Sequence, residues 1–470
     1  MTMPHETPDA GVPTGEPGRS RRISTIEGCV STLHGTLIGG SLLTAYALAL
    51  GASDFHIGLI AGFGMVANIG LLLGARSSLR RRARKPVVVR AALASRMSWA
   101  LLTVIPFLPL SPTARVWVFL SVVLAAQTLL QMAVNPWSDW IADLAPEHLR
   151  GRFFGMRNAV CGGVGMIGAI LVGRSYDALK SFVHPGQELW VFVPFFGGTA
   201  VLAVLSAWLY TRQWEPPMRE APILPMRDLL LSPLRHPPYR ALIRFQVCWA
   251  VACAIGGPFF GAHMIRNLHM SMSTIAVYGI LAGAVGLFSQ PLWGRVVDRY
   301  GNRPVLMFNM VVVFTMPLIW LFATPDFLFP VWADALLTGL CWPGLNMALF
   351  NLVLGTAPAE NRQGYLAAQG VISGAAHFLA AAIGGGLAHG WSEFRLVIGQ
   401  QTLVNFHLLF ILSAFGRLLM LPAAMRLHEP RAMSVKALVS GWAGLRYRFS
   451  GMILSGIGQA VTQVRRRPRQ

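Results

Sequence analysis

Two short ladders of polar residues interrupt an otherwise apolar chain. The first is Glu27, Ser31 and His34, at i, i+4 and i+7 on one helical face. A carboxylate and an imidazole placed this way can exchange a proton near neutral pH, as a coupling or substrate-binding pair would. The plainer alternative puts Glu27 at a membrane interface, paired with an arginine of a basic loop. The second ladder is Gln369, Ser373 and His377, again four residues apart. Its alternative is a neutral histidine hydrogen-bonded between helices. A third, Gln127, Gln131 and Asn135, carries amides. Amides cannot couple protons but can bind polar solutes, and they serve equally well to tie helices together. Trp249, Phe260 and Trp342 are aromatic candidates for a cavity wall, or ordinary packing groups.

The elements that must position these groups follow from composition. The 470 residues are 54% hydrophobic and 12% charged, with mean hydropathy +0.53. A soluble domain carries about 25% charged residues, so this is an integral membrane protein. Twelve apolar runs lie near 26–49, 55–75, 87–109, 115–136, 156–175, 189–211, 241–264, 273–294, 304–323, 328–354, 364–388 and 403–426. They are called spans 1 to 12 below. A formal net charge of +20 would suggest nucleic acid in a soluble protein. Its distribution excludes that class. With the N-terminus inside, the outer loops hold Arg115, Arg174, Lys180, Arg266 and Arg395, Arg96 and Arg417 fall within spans, and the rest of the 39 Lys and Arg lie on the inner side. This bias orients the chain and draws anionic lipid.

Two six-span units are legible. The stretch 213–238 holds seven prolines and divides them. Ala145-Pro146, Arg150 and Phe153 have an echo in Ala357-Pro358, Arg362 and Tyr365. Six spans separate the two copies, so both keep one sidedness, which implies a parallel repeat about an axis along the membrane normal. Asn346 on span 10 lies one residue from the repeat-equivalent of Asn135. The expected organisation is a disordered tail (1–22), a first bundle (23–212), a Pro-rich linker (213–238), a second bundle (239–428) and a basic tail (429–470). In that tail Val435, Leu438, Val439, Trp442 and Leu445 form an apolar stripe suited to an interfacial helix. The polar, Pro-rich start shows no cleavable signal peptide.

Between spans 8 and 9 stands Gly294-Arg-Val-Val-Asp298-Arg299-Tyr-Gly301-Asn-Arg303. Gly294 would let helices approach closely, and Gly301 would end a helix in a left-handed conformation. Asp298 is an acid at a helix C-terminus, where the dipole disfavours it, so it needs a partner. This pattern resembles the signature loop of the major facilitator superfamily, and the resemblance covers roughly residues 24–428. It implies an all-α fold of twelve transmembrane helices in two six-helix bundles, working as a secondary transporter by alternating access. It also implies that Asp298 braces the inner side against the start of span 5, where Arg150 and Arg152 lie, in the state closed to the cytoplasm. The first-half copy of the loop keeps Gly74 but has Ser78 where the acid would be, which predicts a one-sided latch. Span 5 lacks the Gly-Pro pattern of drug/proton antiporters, and span 4 lacks a mid-span arginine.

The five cysteines all fall within spans, with neither zinc nor disulfide spacing. No phosphate-binding loop is present, so ATP is not the energy source. The expectation is a non-enzyme with no cofactor or metal, acting as a monomer in the cell membrane with both termini cytoplasmic. It moves a small solute, with Glu27, His34 and His377 as proton candidates. Gln127, Gln131, Asn135, Trp249, Trp342, Asn346 and Gln369 are the cavity candidates. The alternative is a non-transporting scaffold on the same fold.

Overall fold

In a bilayer every backbone polar group must find its partner within the protein, so long apolar runs become helices. The computed structural model describes residues 16–144, 147–184, 186–217, 233–358, 362–399 and 401–427, with 429, 432–434, 436–438 and 440 beyond them; the side chains at 147–152, 362–364 and 367 fall outside that description. Among the described residues ten helical segments are long and apolar enough to cross a membrane, and they correspond to spans 2 and 4 to 12. Spans 1 and 3 are helical too, over Glu16–Leu37 with Gly40–Ala49, and over Lys85–Ala100 continuing as single 3-10 turns to Phe107. Charge makes these two less apolar, with Glu27 on span 1 and Arg90 and Arg96 on span 3. Large apolar side chains such as Phe182 (81% exposed) and Phe288 (79% exposed) cover the outer surface, where lipid tails would meet them.

The arrangement of the core shows how the halves meet. At the end away from the basic loops, one apolar cluster runs through both halves. It includes Tyr46, Phe119 and Phe196 of the first and Phe259, Trp320 and Phe406 of the second. Towards the basic end the core divides into one cluster around Trp140 and Tyr210 and another around Trp293 and Leu345. Span 2 shows the same divergence. Its far part, Asp54–Val66, packs on span 11, and a Cβ at Gly58 would strike the Ala381 carbonyl. Its basic part, Ile69–Arg81, turns to span 4.

Spans 1 and 7, the opening helices of the two halves, are both interrupted at paired glycines. Span 1 breaks at Gly39, whose ψ is 151°. Span 7 runs over Pro237–Ala254 and Phe259–Arg266, breaking around Gly256, Gly257 and Pro258. Proline has no N–H to continue the ladder.

Several expectations change. The helix of span 1 starts at Glu16, so residues 16–22 are not a disordered tail. They are anchored, since Arg21 donates to the Leu144 carbonyl at 3.0 Å and the Ser20 hydroxyl accepts from the Trp214 N–H at 2.9 Å. Residues 1–15 lie outside the described residues. Leu438 is fully buried in the second-half core, so at that position the apolar stripe faces protein rather than lipid; Val435, Val439, Trp442 and Leu445 lie outside the described residues. A two-stranded antiparallel hairpin, β1 (Arg395–Ile398) and β2 (Gln401–Val404), joins spans 11 and 12, pairing Arg395 with Val404. Gly294 makes no close approach here, because a Cβ there would meet nothing within 4 Å. Gly301 does cap span 8, with φ +92°.

Candidate functional site

The two helix breaks face a common cavity between the halves. It consists of two chambers of about 610 and 630 Å³ that share Gly40 and Ser41. The first lies between spans 1, 5 and 8, with Thr32, Thr36 and Tyr176 on its wall. The second lies between spans 1, 2, 4 and 7, with Trp99, Gln127, Gln131 and Pro258 on its wall. None of the described lining residues is Asp, Glu, Lys, Arg or His.

Polar contacts across the halves close the far end. Arg266 of span 7 forms an ion pair with Asp54 at the start of span 2. The Asn405 amide of span 12 donates to the other Asp54 oxygen at 3.0 Å. On the opposite flank, Asp177 of span 5 accepts from the backbone N–H groups of Met272 (3.0 Å) and Ser273 (2.9 Å) and from the Ser273 hydroxyl. These N–H groups begin span 8, so the carboxylate meets the positive end of that helix dipole.

The profile of a family described as MFS/sugar transport protein matches residues 69–400. The chain belongs to that family. Solved transporters of the same fold align along most of both chains. The nucleoside transporter NupG has TM-score 0.63 at 11% identity, over 87% of this chain and 98% of its own. A D-xylose-proton symporter has TM-score 0.62 at 16% identity, over 87% and 97%. A bacterial homologue of the iron transporter ferroportin, in an inward-facing state, has TM-score 0.60 at 14% identity, over 87% and 98%. No curated protein matches in sequence. The chain is thus a secondary active transporter of the major facilitator superfamily, and the scaffold alternative is not favoured.

Within this transporter Glu27 is buried at 1% exposure. Its partner is Arg96 of span 3, at 3.1 Å. The Ser31 and Ser206 hydroxyls donate to the same Glu27 oxygen at 2.5 and 2.8 Å. Arg96 donates in turn to both serine oxygens. Spans 1, 3 and 6 are therefore joined by a closed network in which one positive and one negative charge offset each other. Neither reading of Glu27 foresaw this, since one relied on His34 and the other on a loop arginine. His34 is buried and its Nε2 has no hydrogen-bond partner.

The amide ladder divides by position. Gln131 donates to Asn68 at 2.6 Å and Asn135 to the Leu71 carbonyl at 3.1 Å, so both tie span 4 to span 2. Gln127 keeps an unpartnered Oε1 on the chamber wall. Gln369 of span 11 donates to Gln246 of span 7. His377 is half-buried on span 11, and Asn346 is exposed on span 10. Trp249 is buried in the second-half core and stacks on Phe245 at 6.5 Å. Phe260 stacks on Phe410 at 4.3 Å. The Arg417 guanidinium lies 5.9 Å from the Trp342 ring. Of the cavity candidates, Gln127 and Gln131 are on the chamber walls.

In the signature loop Asp298 is exposed, and Arg299 stacks over Tyr300 at 5.3 Å. The side chains of Arg150 and Arg152 lie outside the described residues. Glu429, just past span 12, accepts from the backbone N–H of Asn302 (2.9 Å) and Arg303 (2.6 Å), capping span 9. Glu215, just past span 6, does the same for span 3 through Arg84 and Lys85. This repeated clasp was not among the features expected from the sequence. Its signal was an acid in the same place after the last helix of each half.

Proposed function

We propose that this transporter carries a small, neutral, polar solute of the size of a monosaccharide or nucleoside. Chamber lining supports the reading most directly. Gln127 Oε1 is an unpartnered acceptor and Trp99 Nε1 an unpartnered donor on the same wall, and Ser41 and Thr44 supply hydroxyls. A charged solute would lose its hydration against a wall with no counter-charge, which is expensive in a low-dielectric site. A neutral polyol exchanges water for hydroxyl and amide contacts at little loss. The volumes fall within the range of small-molecule sites. The family description and the nucleoside and xylose neighbours agree with that class.

In this reading the basic end is cytoplasmic, the surplus of Lys and Arg meets anionic lipid, and spans 1 and 3 cross the bilayer with the other ten in a monomeric carrier of the cell membrane. The structure is then the state sealed to the outside. In the opposite state Asp298 braces the cytoplasmic end against the start of span 5. Solute movement is coupled to protons.

The test is flux into proteoliposomes with a panel of monosaccharides, nucleosides, amino acids and organic acids. The expected result is uptake of a neutral polar member and none of the acids, with Gln127→Ala lowering uptake roughly tenfold, the effect of losing one buried hydrogen bond. Uptake confined to charged members, or no uptake at all, overturns the reading.

A further inference from the structure

Span 5 presents two faces of different character. Gly162, Gly165, Ala169 and Gly173 line the first chamber. Met156, Val160, Ile167 and Leu171 follow one another at steps of four, seven and four, which places them on the opposite face at 3.6 residues per turn. All four are exposed, Met156 at 63%, where lipid tails would meet them. At the basic end of this stripe lies a cleft of about 610 Å³ between spans 1 and 5. Phe153 and Met156 form its apolar bank, and Arg19, Arg21 and Arg22 in the first turns of span 1 form its basic bank. Arg21 gives one N–H to the Leu144 carbonyl. Arg19 and Arg22 are exposed, and neither forms an ion pair among the described residues. No acid is found among the described residues that line the cleft. Ile26, one turn beyond Arg22 on the same face, is exposed and extends the apolar surface on span 1.

We propose that this cleft binds one anionic phospholipid from the leaflet on the basic side, its phosphate on the arginines and an acyl chain along the stripe of span 5. This narrows the general attraction of the basic end for anionic lipid, read above, to a single site. It does not depend on which solute the carrier moves. Guanidinium groups match a phosphate with paired N–H donors and keep their charge at any physiological pH. A free inorganic anion would satisfy the arginines but leave Met156 and Ile26 uncovered, whereas a phospholipid fills both banks. A lipid with a choline headgroup would cover the apolar bank but bring a second cation beside the three arginines. The arginines belong to span 1 and the stripe to span 5, so one bound lipid joins two helices. Thr32 and Thr36 of span 1 face Gly165 and Ala169 of span 5 across the wall of the first chamber. Lipid in the cleft therefore holds that wall together from outside.

Two measurements on the full chain test this. The first is native mass spectrometry in neutral detergent, titrating phosphatidylglycerol, phosphatidylcholine of the same acyl chains, and inorganic phosphate. The expected result is one retained phosphatidylglycerol, no phosphatidylcholine at the same concentration, and no displacement by phosphate. Replacing both Arg19→Gln and Arg22→Gln should weaken that binding roughly thirtyfold, the loss of two lipid-facing cations. Arg80→Gln with Arg81→Gln removes the same charge from another basic loop and should leave it nearly unchanged. Equal losses in the two double variants overturn the single site and leave only the general attraction. Equal retention of both lipids overturns the general attraction as well, and displacement by phosphate makes the cleft a free-anion site and overturns the lipid assignment. The second measurement needs no variant. Phosphatidylglycerol with a photoactivatable acyl chain, reconstituted with the unaltered protein, should label peptides that contain Ile26 or Met156 and Val160. Label confined to other spans overturns the proposal. Solute flux enters neither result, so the site and the choice of solute stand or fall separately.

Discussion

The two halves repeat the same helices and the same Glu215 and Glu429 clasps, yet each treats its buried acid differently. In the first half Glu27 has a guanidinium at 3.1 Å and two serine donors. In the second, Asp334 has a tyrosine hydroxyl, while the nearby arginine is bound to a backbone carbonyl. A paired ion inside a membrane protein fixes helices in place. One half therefore holds its buried acid in an ion pair, and the other holds its acid by a neutral donor. The same contrast appears at the breaks in spans 1 and 7, because proline reinforces the second break and not the first.

The largest expected effect comes from breaking the paired side of this comparison. Arg96→Met leaves Glu27 buried with an uncompensated charge and should cost about 3–5 kcal/mol of stability. Thermal unfolding in detergent reads this. Adding Glu27→Gln to that variant should restore much of the loss. Asp334→Asn keeps the shape and removes no ion pair, so it should change stability by less than about 1 kcal/mol. If Asp334→Asn is the more damaging of the two, the contrast between the paired and the unpaired acid fails.

A smaller effect is expected at the far-end latch. Arg266 is more than a third exposed, so solvent screening discounts its ion pair. Arg266→Ala should shift the population towards the state open at the far end by roughly tenfold, about 1.4 kcal/mol. Spin-label distances across spans 2 and 11 would lengthen; unchanged distances would remove the latch from the account. The smallest effects belong to the clasps. Glu215→Gln and Glu429→Gln each lose a charged helix cap worth about 1 kcal/mol. The repeat predicts similar losses in the two unfolding curves, and a loss at one site alone would show that the clasps are not equivalent.

Much of this architecture was legible in the sequence. The apolar runs gave the helices because lipid leaves the backbone no other solution. The partner of Glu27 was harder to read, since it lies on another helix and neither spacing nor periodicity reports a tertiary contact. A signal did exist, because Arg96 is a charge inside an apolar run and such charges require a counter-ion. Asp334 gave a similar signal as the single acid of run 328–354, but it lies close to the end of that run, where an acid resembles an interface residue. Gly294 was read as a close-packing glycine from its motif. The structure places that function at its first-half counterpart Gly74, where a Cβ would strike the Met132 carbonyl of span 4.

The most direct test of the account is thiol access to Ser41→Cys, in a background freed of the five native cysteines and in vesicles of known orientation. Ser41 lies where the two chambers meet. The account predicts modification by a membrane-impermeant reagent from the basic side, protection by a neutral polar solute, and new access from the far side in Arg266→Ala. Modification from the far side in the unaltered carrier, or labelling that no neutral solute changes, would contradict it.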